Sequence, residues 1–170
     1  MNSPNIVLIG MPGAGKSTIG VLLAKALGMS FLDTDLLIQE REGRLLQDII
    51  NRDGVAGFLK IEAEVILGLK RSRCVIATGG SAVYREPAVL HLKENGRLVY
   101  LELPFAEVAQ RINNMSSRGI AIGKGQQLLD IYNERIVLYQ KYADVTVNCS
   151  GLTIEETVVK IVSSINLLGY

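Results

Sequence analysis

Gly10-Met11-Pro12-Gly13-Ala14-Gly15-Lys16-Ser17 has the spacing G-x-x-x-x-G-K-[S/T], and the residues on either side decide what it means. Before it, Asn5-Ile6-Val7-Leu8-Ile9 is a short apolar run that reads as a buried strand. After it, Ile19, Leu22, Leu23, Ala26 and Leu27 recur at helical spacing. Strand, glycine-rich loop and helix in that order make a cradle for the phosphates of a nucleoside triphosphate. Glycines let the backbone N–H groups and the helix N-terminus face the anion, with Lys16 set to reach the terminal phosphates and Ser17 to ligate Mg²⁺. A glycine-rich turn ahead of any helix is the plain alternative; motif and flanking context agree independently against it.

Bulk properties narrow the class. The 170 residues, 48% hydrophobic and 21% charged, suffice for one domain with a sizeable core, 1–170, and are few for two. A net charge of +1 gives no overall field favouring nucleic acid or an anionic membrane. Mean hydropathy is +0.26, yet no apolar run approaches the length of a bilayer span, so the hydrophobicity is expected in a core. The first strand follows Met1 within a few residues, without the basic and apolar regions of a signal peptide; a cytoplasmic monomer is the expectation. Cys74 and Cys149 lie beside apolar runs with no second ligand at metal spacing and read as core thiols, and His91 reads as a helix-surface residue.

Apolar, β-branched runs recur at 5–10, 30–32, 74–77, 97–103 and 145–148, with helical periodicity between them. Alternating strands and helices predict a parallel, three-layer α/β sandwich. Such sheets bind ligands outside the carboxyl ends of their strands, which directs attention to Gly10–Ser17, Asp33–Asp35, Thr78–Ser81 and Glu102–Pro104. One stretch, 113–126, is small, polar and punctuated by glycine. It is either a connector or a lid, and Arg118 within it favours a lid, because phosphoryl transfer needs a cation that arrives with closure and a site free of water.

The strand ends carry further chemistry. In Phe31-Leu32-Asp33-Thr34-Asp35, strand alternation predicts that Asp33 and Asp35 project to one side, facing the phosphate loop; helix capping is the structural alternative. The third strand runs into Thr78-Gly79-Gly80-Ser81, where paired glycines permit close approach of a ligand and successive N–H groups can hold an anion or hydroxyl, unless they make only a tight turn. Glu102 is a competing metal-supporting carboxylate. In the helix predicted over 127–143, Arg135 shares an apolar stripe with Ile131, Leu138 and Tyr142, and Glu62 falls between Leu59, Ile66 and Leu69 on another helix. Buried charges need partners: Arg135 and Glu62 either pair with each other, or Arg135 grips an anionic substrate with Glu62 orienting it.

This set of motifs resembles the shikimate kinases over nearly the whole chain: GMPGAGKST at 10–18, LDTD at 32–35, the segment Phe58 to Glu62, TGGSAV at 78–83, an arginine in a lid, and ERIVLYQKYAD at 134–144. The resemblance implies a P-loop NTPase fold of the nucleoside monophosphate kinase group, with a five-stranded parallel sheet flanked by helices and a mobile lid. The reaction it implies is ATP plus shikimate giving ADP and 3-phosphoshikimate. Gly10 to Thr18 would then hold ATP, Lys16 would stabilise the transferring phosphoryl, and Ser17 with Asp33 would hold Mg²⁺. Asp35 would bind substrate hydroxyls and accept the proton of the attacking one. Gly79, Gly80 and Ser81 would form the substrate-binding strand end, Arg135 would bind the substrate carboxylate, Arg118 would be the lid arginine on the phosphates, and Arg111 would lie against adenine.

The departures fall on the acceptor side and the lid. Phe58 is followed by Leu59 where the family has a second carboxylate-binding arginine, Ser81 replaces a third glycine, Val55 replaces a glutamate, and the lid reads Arg118-Gly119-Ile120-Ala121 in place of Arg-Pro-Leu-Leu. A charge-assisted bond to a carboxylate contributes about 1.5 to 3 kcal/mol, so a missing one is expected to weaken shikimate binding roughly tenfold to a hundredfold unless compensated. Another polyol or hydroxy acid as acceptor (quinate, dehydroquinate or gluconate) is the alternative within the same mechanism. A non-catalytic nucleotide-binding paralogue is the alternative outside it.

Overall fold

Strand β1 (Asn5–Ile9) is buried at all five positions because it has a paired neighbour along each edge, and a continuous apolar run is what such a position selects. The computed structural model, which describes residues 4–113 and 119–166, places β1 at the centre of a five-stranded parallel sheet. The chain continues through α1 (Lys16–Leu27), β2 (Ser30–Asp33), α2 (Thr34–Glu42), α3 (Leu46–Leu67) and β3 (Cys74–Ala77). After a 3₁₀ turn at Ala82–Tyr84 come α4 (Glu86–Glu94), β4 (Gly96–Glu102), α5 (Phe105–Asn113), α6 (Leu128–Tyr142), β5 (Val145–Asn148) and α7 (Ile154–Asn166). Strand order is β2-β3-β1-β4-β5, with Val7 opposite Ile76 on one side and Leu98 on the other.

Helices cover both faces of this sheet. Leu8 reaches α1 beside Gly20, whereas Val7 reaches the start of β4 at Gly96, next to the last turn of α4. Neighbouring strand residues point to opposite faces, so α1 and α4 lie on opposite sides and the three-layer sandwich is as expected. A Cβ on Gly20 would lie 2.6 Å from the Phe31 ring, which is how closely α1 seats against β2. No helix among the described residues is long and apolar enough to cross a membrane.

All five strands coincide with the expected runs to within a residue or two. β1 stops at Ile9 because Gly10, at φ 146°, turns the chain out of the sheet into the phosphate loop. The helix expected over 127–143 is α6, with Gln127 and Ala143 as its caps and a reciprocal capping box between Gln127 and Asp130. His91 differs from expectation: α4 packs on α3, so its ring is half-buried with Nε2 2.9 Å from the Leu69 carbonyl oxygen.

A second, smaller apolar cluster forms beneath α2 and α3 from Ile38, Ile49, Ile50 and Phe58, with Ala121 from the segment before α6 closing it. Here α3 is broken at Gly54, whose φ of 72° and ψ of 173° are not helical. The break separates the first turns of α3 from the long segment that carries Phe58 and Glu62, so α2 and α3 wrap one end of the sheet as a wall.

Asn5 ties the strand β1 to the approach of β3. Its side chain, only 6% exposed, donates to the Arg71 carbonyl at 2.7 Å and accepts the Cys74 N–H at 3.0 Å. Asn5→Ala would leave the buried Cys74 N–H without that partner, while the Arg71 carbonyl keeps Asn95, and a loss of about 1 to 3 kcal/mol of unfolding free energy is expected in urea titrations.

Candidate active site

The phosphate loop leaves β1 and becomes α1 at Gly15, whose φ of 87° puts it in the left-handed region that glycine tolerates and other residues seldom adopt. Lys16 is folded back across the loop. Its Nζ donates to the carbonyl oxygens of Gly10 at 2.7 Å and Met11 at 2.8 Å, and the side chain is 7% exposed. Pro12, Gly13, Gly15, Lys16 and Ser17 line a cavity of about 1010 Å³, whereas Gly10, Met11 and Ala14 are buried behind the loop and Thr18 is exposed beyond it.

Asp33 and Asp35 both line this cavity, but by a different route from the one strand alternation predicts. The strand β2 ends at Asp33, and Asp35 belongs to the first turn of α2. Asp33 is the N-cap: its Oδ1 accepts the Asp35 N–H at 2.9 Å, while Oδ2 accepts the Ser17 hydroxyl at 2.6 Å. Capping and a place beside the phosphate loop, weighed as alternatives, are both filled by one carboxylate. Thr34 is fully buried, and its Oγ1 accepts the Gly79 N–H at 3.3 Å, joining the start of α2 to the end of β3.

Gly79 and Gly80 are the point of closest approach. A Cβ on Gly79 would stand 2.5 Å from Glu62 Oε1 and 2.8 Å from Asp35 Oδ1; one on Gly80 would stand 2.7 Å from Pro12 Cδ and 2.9 Å from Arg135 Nη1. A side chain at either place would force these groups apart, so the glycines let four functional elements converge, which goes beyond a tight turn. The Gly80 carbonyl accepts the Tyr139 hydroxyl at 2.6 Å, and Tyr139 stacks on Tyr100 with ring centroids 5.1 Å apart.

Glu62 and Arg135 are each 1% exposed, yet they do not form the buried bridge that was one of their two readings. Arg135 donates Nε–H to the Tyr84 hydroxyl at 3.2 Å and Nη2–H to the Ala121 carbonyl at 2.9 Å, and it lies 5.2 Å from the Tyr84 ring centroid. Its guanidinium lines the cavity. Glu62 Oε2 accepts the Ser81 hydroxyl at 2.7 Å; Oε1 is buried with no hydrogen-bond partner among the described residues. Burial pushes the Glu62 carboxyl up to about 8; the Ser81 bond opposes this, the Asp35 carboxylate adds to it, and Arg135 and Lys16 oppose it. At neutral pH Glu62 is therefore largely protonated.

Arg118 falls outside the described residues. Arg111 lies beside the phosphate loop, donating to the Gly13 carbonyl at 3.2 Å and lying 3.6 Å from Glu107, and Glu102 does not line the cavity. Of the expected lid, Gly119, Ile120 and Ala121 line the cavity, and Gly119 packs so closely on α3 that a Cβ there would stand 2.5 Å from Leu46 Cβ. Leu59 packs against the smaller apolar cluster instead of facing the cavity, and Lys60 is exposed. Leu36, Leu45, Leu46 and Phe58 form an apolar wall that strand-end reasoning missed, because it comes from α2 and α3. Tyr84 was missed as well; only a tertiary contact makes it a partner of Arg135.

The elevated Glu62 carboxyl has a consequence for stability. An acid at about 8 in the folded chain and about 4.5 unfolded binds its proton more tightly when folded. The associated stability is fully present below about pH 4.5 and is lost as pH rises to about 8. Glu62→Gln, which cannot ionise, should therefore gain stability relative to the parent chain across that window and hold a constant difference above it, in urea titrations at stepped pH.

A family model described as shikimate kinase matches residues 12–166. The shikimate kinase of Thermobifida fusca (strain YX) is 40% identical over 155 residues, covering 90% of each chain. Among solved structures, the shikimate kinase of Acinetobacter baumannii in complex with shikimate superposes with a TM-score of 0.86 at 34% identity, over 98% of this chain and 94% of that one. A gluconokinase from Sinorhizobium meliloti 1021 matches at a TM-score of 0.55 and 17% identity, covering 99% and 95%, which is a likeness of fold alone. With a phosphate loop, capped aspartate, paired glycines and buried arginine in one cavity, and with these relatives, the chain belongs to the shikimate kinase family, whose members are ATP-dependent kinases.

Proposed function

We propose that this protein transfers the terminal phosphoryl group of ATP to a hydroxyl of shikimate, giving ADP and 3-phosphoshikimate. The observation that carries this reading is the meeting, in one cavity of about 1010 Å³, of the phosphate loop with Asp35, the Gly79–Gly80 strand end and Arg135. A triphosphate on the loop and a hydroxy acid between Asp35 and Arg135 would be side by side, and positioning of that kind supplies much of the catalysis of phosphoryl transfer.

Each residue then has a distinct task. Loop N–H groups and Lys16 hold the phosphates, and Lys16 offsets the charge that develops on the transferring group. Asp35 accepts the proton of the attacking hydroxyl. Arg135, fixed by Tyr84 and Ala121, receives the substrate carboxylate while the N–H groups beyond Gly79 bind hydroxyls. Ser17 Oγ and Asp33 Oδ2, hard oxygens 2.6 Å apart at the cavity edge, suit Mg²⁺, which binds through one or two protein oxygens plus phosphates. When bound, that ion neutralises phosphate charge. Arg118 would add a further cation on closure, and Arg111, beside Gly13, would lie against adenine.

As a single domain, the protein is proposed to act as a cytoplasmic monomer with small-molecule partners and without nucleic acid or membrane. Arg135 and Lys16 are the only cations lining the cavity among the described residues, and with Lys16 on the loop one arginine is left for the acceptor carboxylate. That single clamp, opposite an apolar wall, is the feature that would favour another hydroxy acid. ADP release measured over shikimate, quinate, dehydroquinate, gluconate and homoserine separates the readings: stimulation by shikimate at millimolar level or below is expected, and none would overturn the proposal. Asp35→Asn is expected to lower kcat by about 10² to 10⁴, the range for loss of a general base.

A further inference from the structure

Ser81 and Glu62 are two buried polar side chains that the proposed reaction leaves without a task of their own. Ser81 is 4% exposed and Glu62 is 1% exposed, and the bond between them, 2.7 Å long, joins the end of β3 to the middle of α3. Its direction follows the charge of Glu62. An ionised Glu62 accepts the Ser81 hydroxyl on Oε2, whereas a neutral one either accepts it there, with its own proton on Oε1, or donates from Oε2 to Ser81 Oγ.

The position of Oε1 is the second observation. It is buried, lacks a hydrogen-bond partner among the described residues, and points at the same face of Gly79 that Asp35 Oδ1 approaches. The two carboxyl groups thus face one small space beside Gly79. Two negative charges in so confined a space repel strongly, and one of the pair keeps a proton. Around Glu62 the charged groups are Asp35 from α2, Lys16 from α1 and Arg135 from α6; among the described residues the only side chain that hydrogen-bonds it is Ser81. On its own helix, Lys60 and Glu64 are exposed.

We propose that Ser81 and Glu62 form a positioning pair for Asp35: Ser81 holds Glu62 so that its proton faces Asp35 across Gly79, leaving Asp35 as the single negative charge that receives the acceptor hydroxyl. Neither residue is a catalytic residue in this scheme; both act through Asp35. The proposal rests on the assignment of Asp35 to the acceptor hydroxyl made above. It gives the serine that replaces the family's third glycine a task. It also predicts that acceptor use fails when Glu62 ionises, because a second carboxylate then competes with Asp35 for the same proton and crowds it electrostatically.

The test is the pH profile of kcat/KM for shikimate between pH 6.5 and 10, for the parent enzyme, Glu62→Gln, Ser81→Ala and Ser81→Thr, with urea midpoints confirming that each variant is folded. In the parent, kcat/KM should fall above about pH 8, where Glu62 loses its proton. Glu62→Gln should lose that alkaline limb, since an amide does not titrate. Ser81→Ala removes a bond that favours the ionised form, so the limb should move upward by roughly half to one pH unit, and Ser81→Thr, which keeps the hydroxyl, should restore it. A merely structural role would lower stability without moving the limb. A flat parent profile, or a limb that survives in Glu62→Gln, overturns the proposal; a limb unmoved in Ser81→Ala removes Ser81 from it. Should the parent not turn over shikimate at any pH, the functional reading fails, and the pair is judged on the unliganded chain. There the pH-dependent stability difference between Glu62→Gln and the parent, and its upward displacement in a Ser81→Ala background, support the buried proton; their absence refutes it.

Discussion

Asp33 stands where β2 ends and α2 begins, and its two carboxylate oxygens face different structures. One closes the first turn of α2 by accepting the Asp35 N–H, and the other accepts the hydroxyl of Ser17 on α1. A helix start leaves backbone donors without partners, and a carboxylate there satisfies one of them while meeting the positive end of the helix dipole. The same group thereby fixes the phosphate loop relative to the helix that carries Asp35. This side chain is one of the links between the nucleotide side and the acceptor side.

Around that link, close approach is achieved by removing side chains. Gly79 and Gly80 lie where Glu62, Asp35, Pro12 and Arg135 converge, and an added carbon would meet each within 3 Å. Charge is managed in the same small volume. Arg135 is satisfied by a tyrosine hydroxyl and a backbone carbonyl, both neutral, which leaves its positive charge undiminished for an anion. Glu62 is desolvated and holds its proton, which avoids placing a second carboxylate beside Asp35. A salt bridge between Arg135 and Glu62 would have cancelled both charges and closed the site to a substrate carboxylate.

The acceptor wall has a different origin. Leu36 comes from α2, Leu45 from the turn before α3, and Leu46 and Phe58 from α3; these helices pack over a small apolar cluster of their own, while Leu37 and Ile66 reach the sheet core. The break at Gly54 lets α3 turn from that cluster back toward the sheet. Leu59 is drawn into the cluster by the same packing. Where the family resemblance leads one to expect a guanidinium at the cavity, this chain has a leucine contributing to apolar burial, and Arg135 is left as the acceptor-side cation among the described residues.

Much of this was legible in the sequence, for a physical reason. The glycine-rich loop, the five apolar runs and the stripe containing Arg135 are local patterns, because strand, loop and helix geometry repeat over a few residues and leave periodic marks. They determined the parallel sheet, the phosphate cradle, and the strand ends at Asp33–Asp35 and Gly79–Gly80 where chemistry would gather. What the linear pattern left open were choices of partner. Asp35 lines the cavity beside the phosphate loop, but not through strand alternation, which does not apply past Asp33 because a helix begins there. Whether Glu62 would pair with Arg135 or with Ser81, whether Arg135 would find Tyr84, and which leucines of α2 and α3 would form a wall all depend on how distant helices dock. Hydrogen bonds spanning nineteen or fifty-one positions of chain, as in Glu62–Ser81 and Arg135–Tyr84, leave no periodic trace; only tertiary packing brings their ends within reach.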